Sequence, residues 1–136
     1  MPGDFFGLEV PFLDLIGVVA ERDEAGRAIV AVELRPELMN SFRVSHGGVV
    51  MTLLDVAMAM AARTAAGHKG GMMTVDMSMS FLRPATGRIV AQGRVLRGGR
   101  SLVFCEGEAQ DASGLTVAKA LGTFMRRREM HDGEGN

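Results

Sequence analysis

Cysteine is nearly missing from this sequence: Cys105 stands alone among 136 residues. One thiol cannot close an internal disulfide, and the expected compartment is a reducing one. The same count excludes a zinc site of the paired-cysteine kind, and no metal is expected. A basic excess is missing too. Lys and Arg total 15 against 16 Asp and Glu, which argues against a duplex nucleic-acid partner. No apolar run reaches the roughly 20 residues that span a bilayer, and no membrane partner is expected. The opening "MPGDFFGLEV" lacks the basic start and long apolar stretch of a secretory leader. A phosphate-cradling Walker loop is absent. These absences leave a soluble, cytoplasmic chain as the expectation. Trp and Tyr are also absent, whereas Met is abundant at 11, which suits a core or a pocket with adaptable walls.

What is present reads as one domain, 1–136, with a core of about 8–128 and a polar tail, 129–136, expected to fray. "LDLIGVVAERD" and "RAIVAVEL" flank a turn at Gly26 and read as a hairpin. "MMTVDMSMSFL" alternates, which predicts a strand with Met73, Val75, Met77, Met79 and Phe81 on one face. "GRIVAQGRVLR", "RSLVFCEGEAQ" and "LTVAKALGTFMRR" then form an antiparallel meander. In the last of these Ala118, Ala120, Gly122 and Phe124 share a face that a helix can approach closely.

Between them lies "SHGGVVMTLLDVAMAMAA", read as a helix from about Ser45 to Ala66 with Ser45 as its N-cap. It is apolar on nearly every side, so it must be covered on nearly every side. One curved sheet covers part of it, and a second subunit is expected to cover the rest. The fold class is α+β: a curved antiparallel sheet of five to six strands wrapped around one long central helix.

Asp55 is the carboxylate in that apolar helix, and an isolated charge there needs a reason. The helix begins His46-Gly47-Gly48, where unbonded N–H groups and the dipole favour an oxygen that gains negative charge. Asn40, six residues before His46, is a neutral donor. Asp55 stands eight residues beyond Gly47, about 12 Å along the axis. One carbonyl cannot be gripped at Gly47 and attacked from Asp55 of the same helix. The spacing therefore predicts a site shared between two protomers, with Asp55 as general base or nucleophile. The plainer reading keeps Asp55 as a structural acid paired to interface donors, with Arg63 two turns away.

Asn40, His46-Gly47-Gly48 and Asp55, with "TVDMSMSFLRPA" and "GRSLVFCEGEAQDASGLTVAKALGTF" after them, resemble the hotdog-fold thioesterases. The likeness runs from about Asn40 to Phe124 and is strongest to the PaaI-type branch, named for the phenylacetate pathway. The resemblance implies a hotdog fold, a homodimer often paired into a homotetramer, and metal-free hydrolysis of acyl-CoA to acid and CoA. It implies that the Gly47 N–H polarises the carbonyl, Asn40 places the thioester or the water, and Asp55 of the other subunit makes or activates the attack. His46 orients the loop and helix start, and Thr74 bonds the water or the carboxylate. CoA is then substrate and not cofactor. Its phosphates would fall to Arg83, Arg97 or Arg100, and Gly48, Leu54 and Met58 are further candidate substrate contacts. The branch implies aryl-acetyl or medium-chain acyl groups. A non-catalytic acyl-CoA-binding module is the alternative, and a hotdog hydratase a further one.

Overall fold

The computed structural model describes residues 5–67 and 70–127. The tail 129–136, with His131, and the loop residue His68 lie outside the described residues. A short helix α1, Pro11–Ile16, leads into β1, Val19–Glu24, and β2, Arg27–Glu33. A 3-10 turn, Pro36–Leu38, and a loop precede the long helix α2, Gly47–Ala65. Then follow β3, Met72–Phe81, β4, Arg88–Gly98, β5, Leu102–Gln110, and β6, Thr116–Arg126. All neighbours pair antiparallel in one sheet of order β1-β2-β4-β5-β6-β3. The sheet wraps α2, and this is the expected hotdog arrangement.

The first expected strand is shorter than the sequence suggests. Pro11 starts α1 and Gly17, left-handed at φ 90°, ends it with its N–H on the Leu13 carbonyl. A helix framed by Pro at its start and Gly past its end outcompetes the strand pattern here. The Arg35 guanidinium donates to the carbonyls of Ile16 at 2.6 Å and Leu15 at 2.8 Å, which fixes the helix end.

α2 lies on the sheet through glycines. A Cβ at Gly93 of β4 would stand 2.3 Å from the Ala57 carbonyl oxygen, so only glycine fits beneath the helix there. At Gly122 of β6 a Cβ would meet the Met58 thioether at 3.1–3.3 Å. Ala118, Ala120, Gly122 and Phe124 are buried together, as expected. Leu53, Leu54, Ala57, Met58, Ala61 and Ala62 face the sheet fully buried. The opposite side is left open: Met51 is exposed, and Thr52, Asp55, Val56 and Ala59 are half-buried. By length and composition α2 could cross a membrane, but half of the window that qualifies is buried in this fold.

The alternation of β3 also departs from expectation. Thr74 pairs with Phe124 and Asp76 with Thr123, so Val75 is an extra residue in a β-bulge. A bulge shifts the side-chain phase by one. Met77, Met79 and Phe81 share the face of buried Gly122, Ala120 and Ala118, whereas upstream it is Met72 and Thr74 that face the helix. Met73 and Val75 leave the face assigned to them and are exposed.

Candidate active site

The start of α2 is capped by its own first motif. His46 is the N-cap, extended at φ −61°, ψ 139°, and its Nδ1 accepts from the Gly48 N–H at 2.8 Å. Ser45, expected in that role, sits one residue too early. It is buried, its N–H donates to the Ala85 carbonyl, and its hydroxyl donates to the His46 carbonyl. An imidazole that accepts at Nδ1 carries its proton at Nε2.

This cap divides the two glycines. The Gly48 N–H is spent on His46, so Gly48 is not a donor for a ligand, contrary to its place among the substrate contacts. The Gly47 N–H has no hydrogen-bond partner among the described residues. It borders an open cavity of about 670 Å³, walled by Asn40, Phe42, Val50, Phe81, Arg83 and Val117 among others. A donor at a helix N-terminus beside an apolar cavity is suited to a carbonyl oxygen.

Asn40 lines the same cavity. Its Oδ1 accepts from the N–H groups of Phe42, 2.9 Å, and Val44, 3.3 Å, and its own N–H donates to the Val44 carbonyl. That tight turn carries Arg43 in the left-handed region at φ 64°. With the oxygen committed, the side-chain NH₂ is what Asn40 offers outward. Arg83 reaches the same cavity, with its Nε donating to the Thr116 carbonyl at 3.0 Å.

Asp55 lies two turns along α2 and borders none of that cavity. Its Oδ1 accepts from the Thr74 hydroxyl at 2.7 Å. The bulge at Val75 makes this bond possible by turning Thr74 to the helix side. Within one protomer the chemistry is therefore split: an oxygen-binding corner at Gly47 and Asn40, and a carboxylate held by Thr74 near the start of β3. Among the described residues, no three His, Cys, Asp or Glu side chains gather as a metal site.

Other candidates fall away from the cavity. Leu54 and Met58 are core residues and not pocket walls. Both are fully buried against β5 and β6, where a Cβ at Gly107 would meet Leu54 at 3.0 Å and Met58 at 3.2 Å. Arg97 and Arg100 flank the β4–β5 turn and do not line that cavity. Cys105 is buried, its thiol pushed up to about 12 by desolvation. The residue that sequence reasoning missed is Phe42, 83% exposed on the cavity rim. Its only signal was an aromatic ring set in a polar loop.

The family profile described as the thioesterase superfamily matches residues 42–118. A Saccharolobus solfataricus protein carrying an esterase name is 33% identical over 102 residues, 74% of this chain and 72% of its own. The Escherichia coli protein YigI, named a medium/long-chain acyl-CoA thioesterase, is 29% identical over 139 residues, covering 90% of each chain. The solved structure of E. coli PaaI, from the phenylacetic acid degradation operon, superposes at a TM-score of 0.81 with 21% identity, covering 88% of this chain and 86% of that one. At that identity PaaI speaks for the fold alone.

Proposed function

The chain belongs to the thioesterase superfamily and is an enzyme of the thioester-hydrolase class, and from that premise we propose that it hydrolyses acyl-CoA to a carboxylic acid and CoA. Medium- or long-chain acyl groups are the proposed substrates. The YigI relative, matched over 90% of its length, carries that specificity in its name, and the apolar walls of the Gly47 cavity suit such a chain.

In this reading the thioester oxygen sits on the Gly47 N–H, with the Asn40 NH₂ beside it. Asp55 of a second protomer takes a proton from water, and the hydroxide adds to the carbonyl carbon. The C–S bond then breaks, and the CoA thiolate leaves and recovers the proton. Thr74 holds one oxygen of the carboxylate and leaves the other for the water. His46 acts through structure, as the cap that leaves Gly47 as the open donor. Metal has no part in the scheme.

The single observation that carries the proposal is the placement of Asp55: bonded to Thr74, half-buried on the uncovered side of α2, and about 12 Å along the axis from Gly47. A second copy laid along the free edge of β3 supplies the missing half. That edge is the sheet's last strand and exposes Met73, Val75 and Phe81. The test is complementation. Asp55→Asn and Asn40→Ala homo-oligomers should each be nearly inactive, and mixing with subunit exchange should restore turnover through one intact site per mixed dimer. No recovery on verified mixing, or full activity in a strictly monomeric protein, would reject the shared site.

A further inference from the structure

Gly47, Met51 and Asp55 fall on one stripe of α2, each four positions from the next. Met51 is therefore one turn, about 6 Å, from each of the two groups that the proposed chemistry needs. It is an apolar side chain left 44% exposed, on the side of α2 that the sheet does not cover. Its neighbours on that side, Thr52, Val56 and Ala59, are uncharged. The first turn of α2 carries no acidic residue, so a carboxylate arriving from another copy meets an uncompensated dipole end there.

We infer that the two-fold axis of the dimer passes α2 at Met51, so that this side chain packs against its own copy and forms the wall between the two active sites. The inference rests on the shared-site reading above and adds which residue lies on the axis. Symmetry leads there. A closed pair that brings Asp55 of the second copy to Gly47 also brings Gly47 of the second copy to Asp55. The two helices then run antiparallel, and the level that maps onto itself is midway between positions 47 and 55. The same axis crosses β3 as well. The Phe81 ring stands beside Gly47, where a Cβ would meet it at 3.5 Å, and Thr74 is bonded to Asp55. Thr74 of the second copy therefore comes to Phe81. With the bulged Val75 adding no length, the midpoint of that stretch is Ser78. Asp76, the one charged side chain of β3, then opposes Ser80 of the second copy and not its own counterpart, so no like charges meet on the paired edge. Methionine suits the axis, because an unbranched thioether chain adjusts readily to an identical neighbour.

Cross-linking reads the axis apart from turnover. Full-length Met51→Cys and Ala59→Cys would be treated with a short bis-maleimide, with wild type as control, since its one thiol, Cys105, is buried. The two Met51→Cys thiols should link at least tenfold faster than those of Ala59→Cys. The latter lie about 12 Å along α2 on opposite sides of the axis, and so about 24 Å apart. Met51→Lys and Met51→Glu give a second measurement. Each alone should dimerise at least tenfold more weakly than wild type in sedimentation, and an equal mixture should recover most of that loss, because a residue on the axis meets itself. Ala59→Cys linking as fast as Met51→Cys, or Met51→Lys dimerising as tightly as wild type, overturns the axis. Complementation between Asp55→Asn and Asn40→Ala without linkage in Met51→Cys overturns the axis and leaves the shared site standing. Linkage in Met51→Cys without complementation supports the axis and rejects the shared chemistry.

Discussion

The Thr74 hydroxyl donates to Asp55 Oδ1 at 2.7 Å, joining a helix and a sheet edge separated by 19 residues of chain. This bond fixes the direction in which the second carboxylate oxygen faces. Among the described residues it is the one hydrogen bond that aims the base in the proposed mechanism.

Replacing Asp55 by Asn should lower kcat by roughly 10²–10⁴-fold, the usual range for loss of a positioned base. Thermal stability should change little, because the residue is half-buried and an amide still accepts from Thr74. Thr74→Ala should cost about tenfold, the equivalent of one charge-assisted hydrogen bond of ~1.5 kcal/mol, and Thr74→Ser should restore it. Steady-state kinetics on a medium-chain acyl-CoA would decide both, and a Thr74→Ala enzyme as fast as wild type would remove Thr74 from the site.

His46→Ala should lower stability by about 1 kcal/mol through loss of the helix cap, read as a Tm lower by roughly 3–5 °C. His46→Asn should recover most of that stability and much of the activity, since its carbonyl can also accept from Gly48. If activity vanishes in His46→Asn while the Tm recovers, the imidazole has a chemical role that capping does not explain.

Two glycine substitutions should fail in different ways. At Gly93 a Cβ falls 2.3 Å from the Ala57 carbonyl oxygen, so Gly93→Ala should destabilise by about 3 kcal/mol. At Gly47 a Cβ finds only the Phe81 ring at 3.5 Å, an ordinary contact. Gly47→Ala should therefore fold and bind poorly, because the methyl group crowds the donor. Denaturant midpoints and KM values, taken together, separate the two.

Cys105 gives a pH signature. Burial holds its thiol near 12 against an ordinary 9.0. The unfolded thiol ionises first as pH rises, so the unfolded state binds fewer protons between about 9 and 12. The contribution of Cys105 to stability is thus full below pH 9 and declines across that window. Wild-type stability should fall more steeply there than that of Cys105→Ala. Parallel slopes would mean that the thiol is not desolvated.

Much of this was legible in the residues. The wrap of sheet on helix followed from α2 being apolar nearly all round, and close packing at Gly122 from the small residues of β6. The distance of Asp55 from Gly47 followed from helical rise, whereas the part of Asn40 beside Gly47 rested on the family resemblance. What was hidden depended on local backbone choices. Ser45 and His46 can both cap, and only the chain path shows which carries helix geometry. Pro11 and Gly17 framed a helix inside a strand-like pattern. Leu54 and Met58 read as pocket or core with equal ease, since periodicity names a face but not what covers it. The bulge at Val75 left no residue-type signal, so alternation gave the wrong face for Thr74.

The irregularity at Val75 also bears on solubility. β3 is the outermost strand and carries exposed apolar side chains, the sort of rim that recruits stray strands into fibrils. A ladder running one residue out of step twists away from a flat template and resists indiscriminate extension. In the proposed dimer a second copy covers this rim, and in a lone protomer the kink that aims Thr74 at Asp55 also makes it a poorer template for other strands.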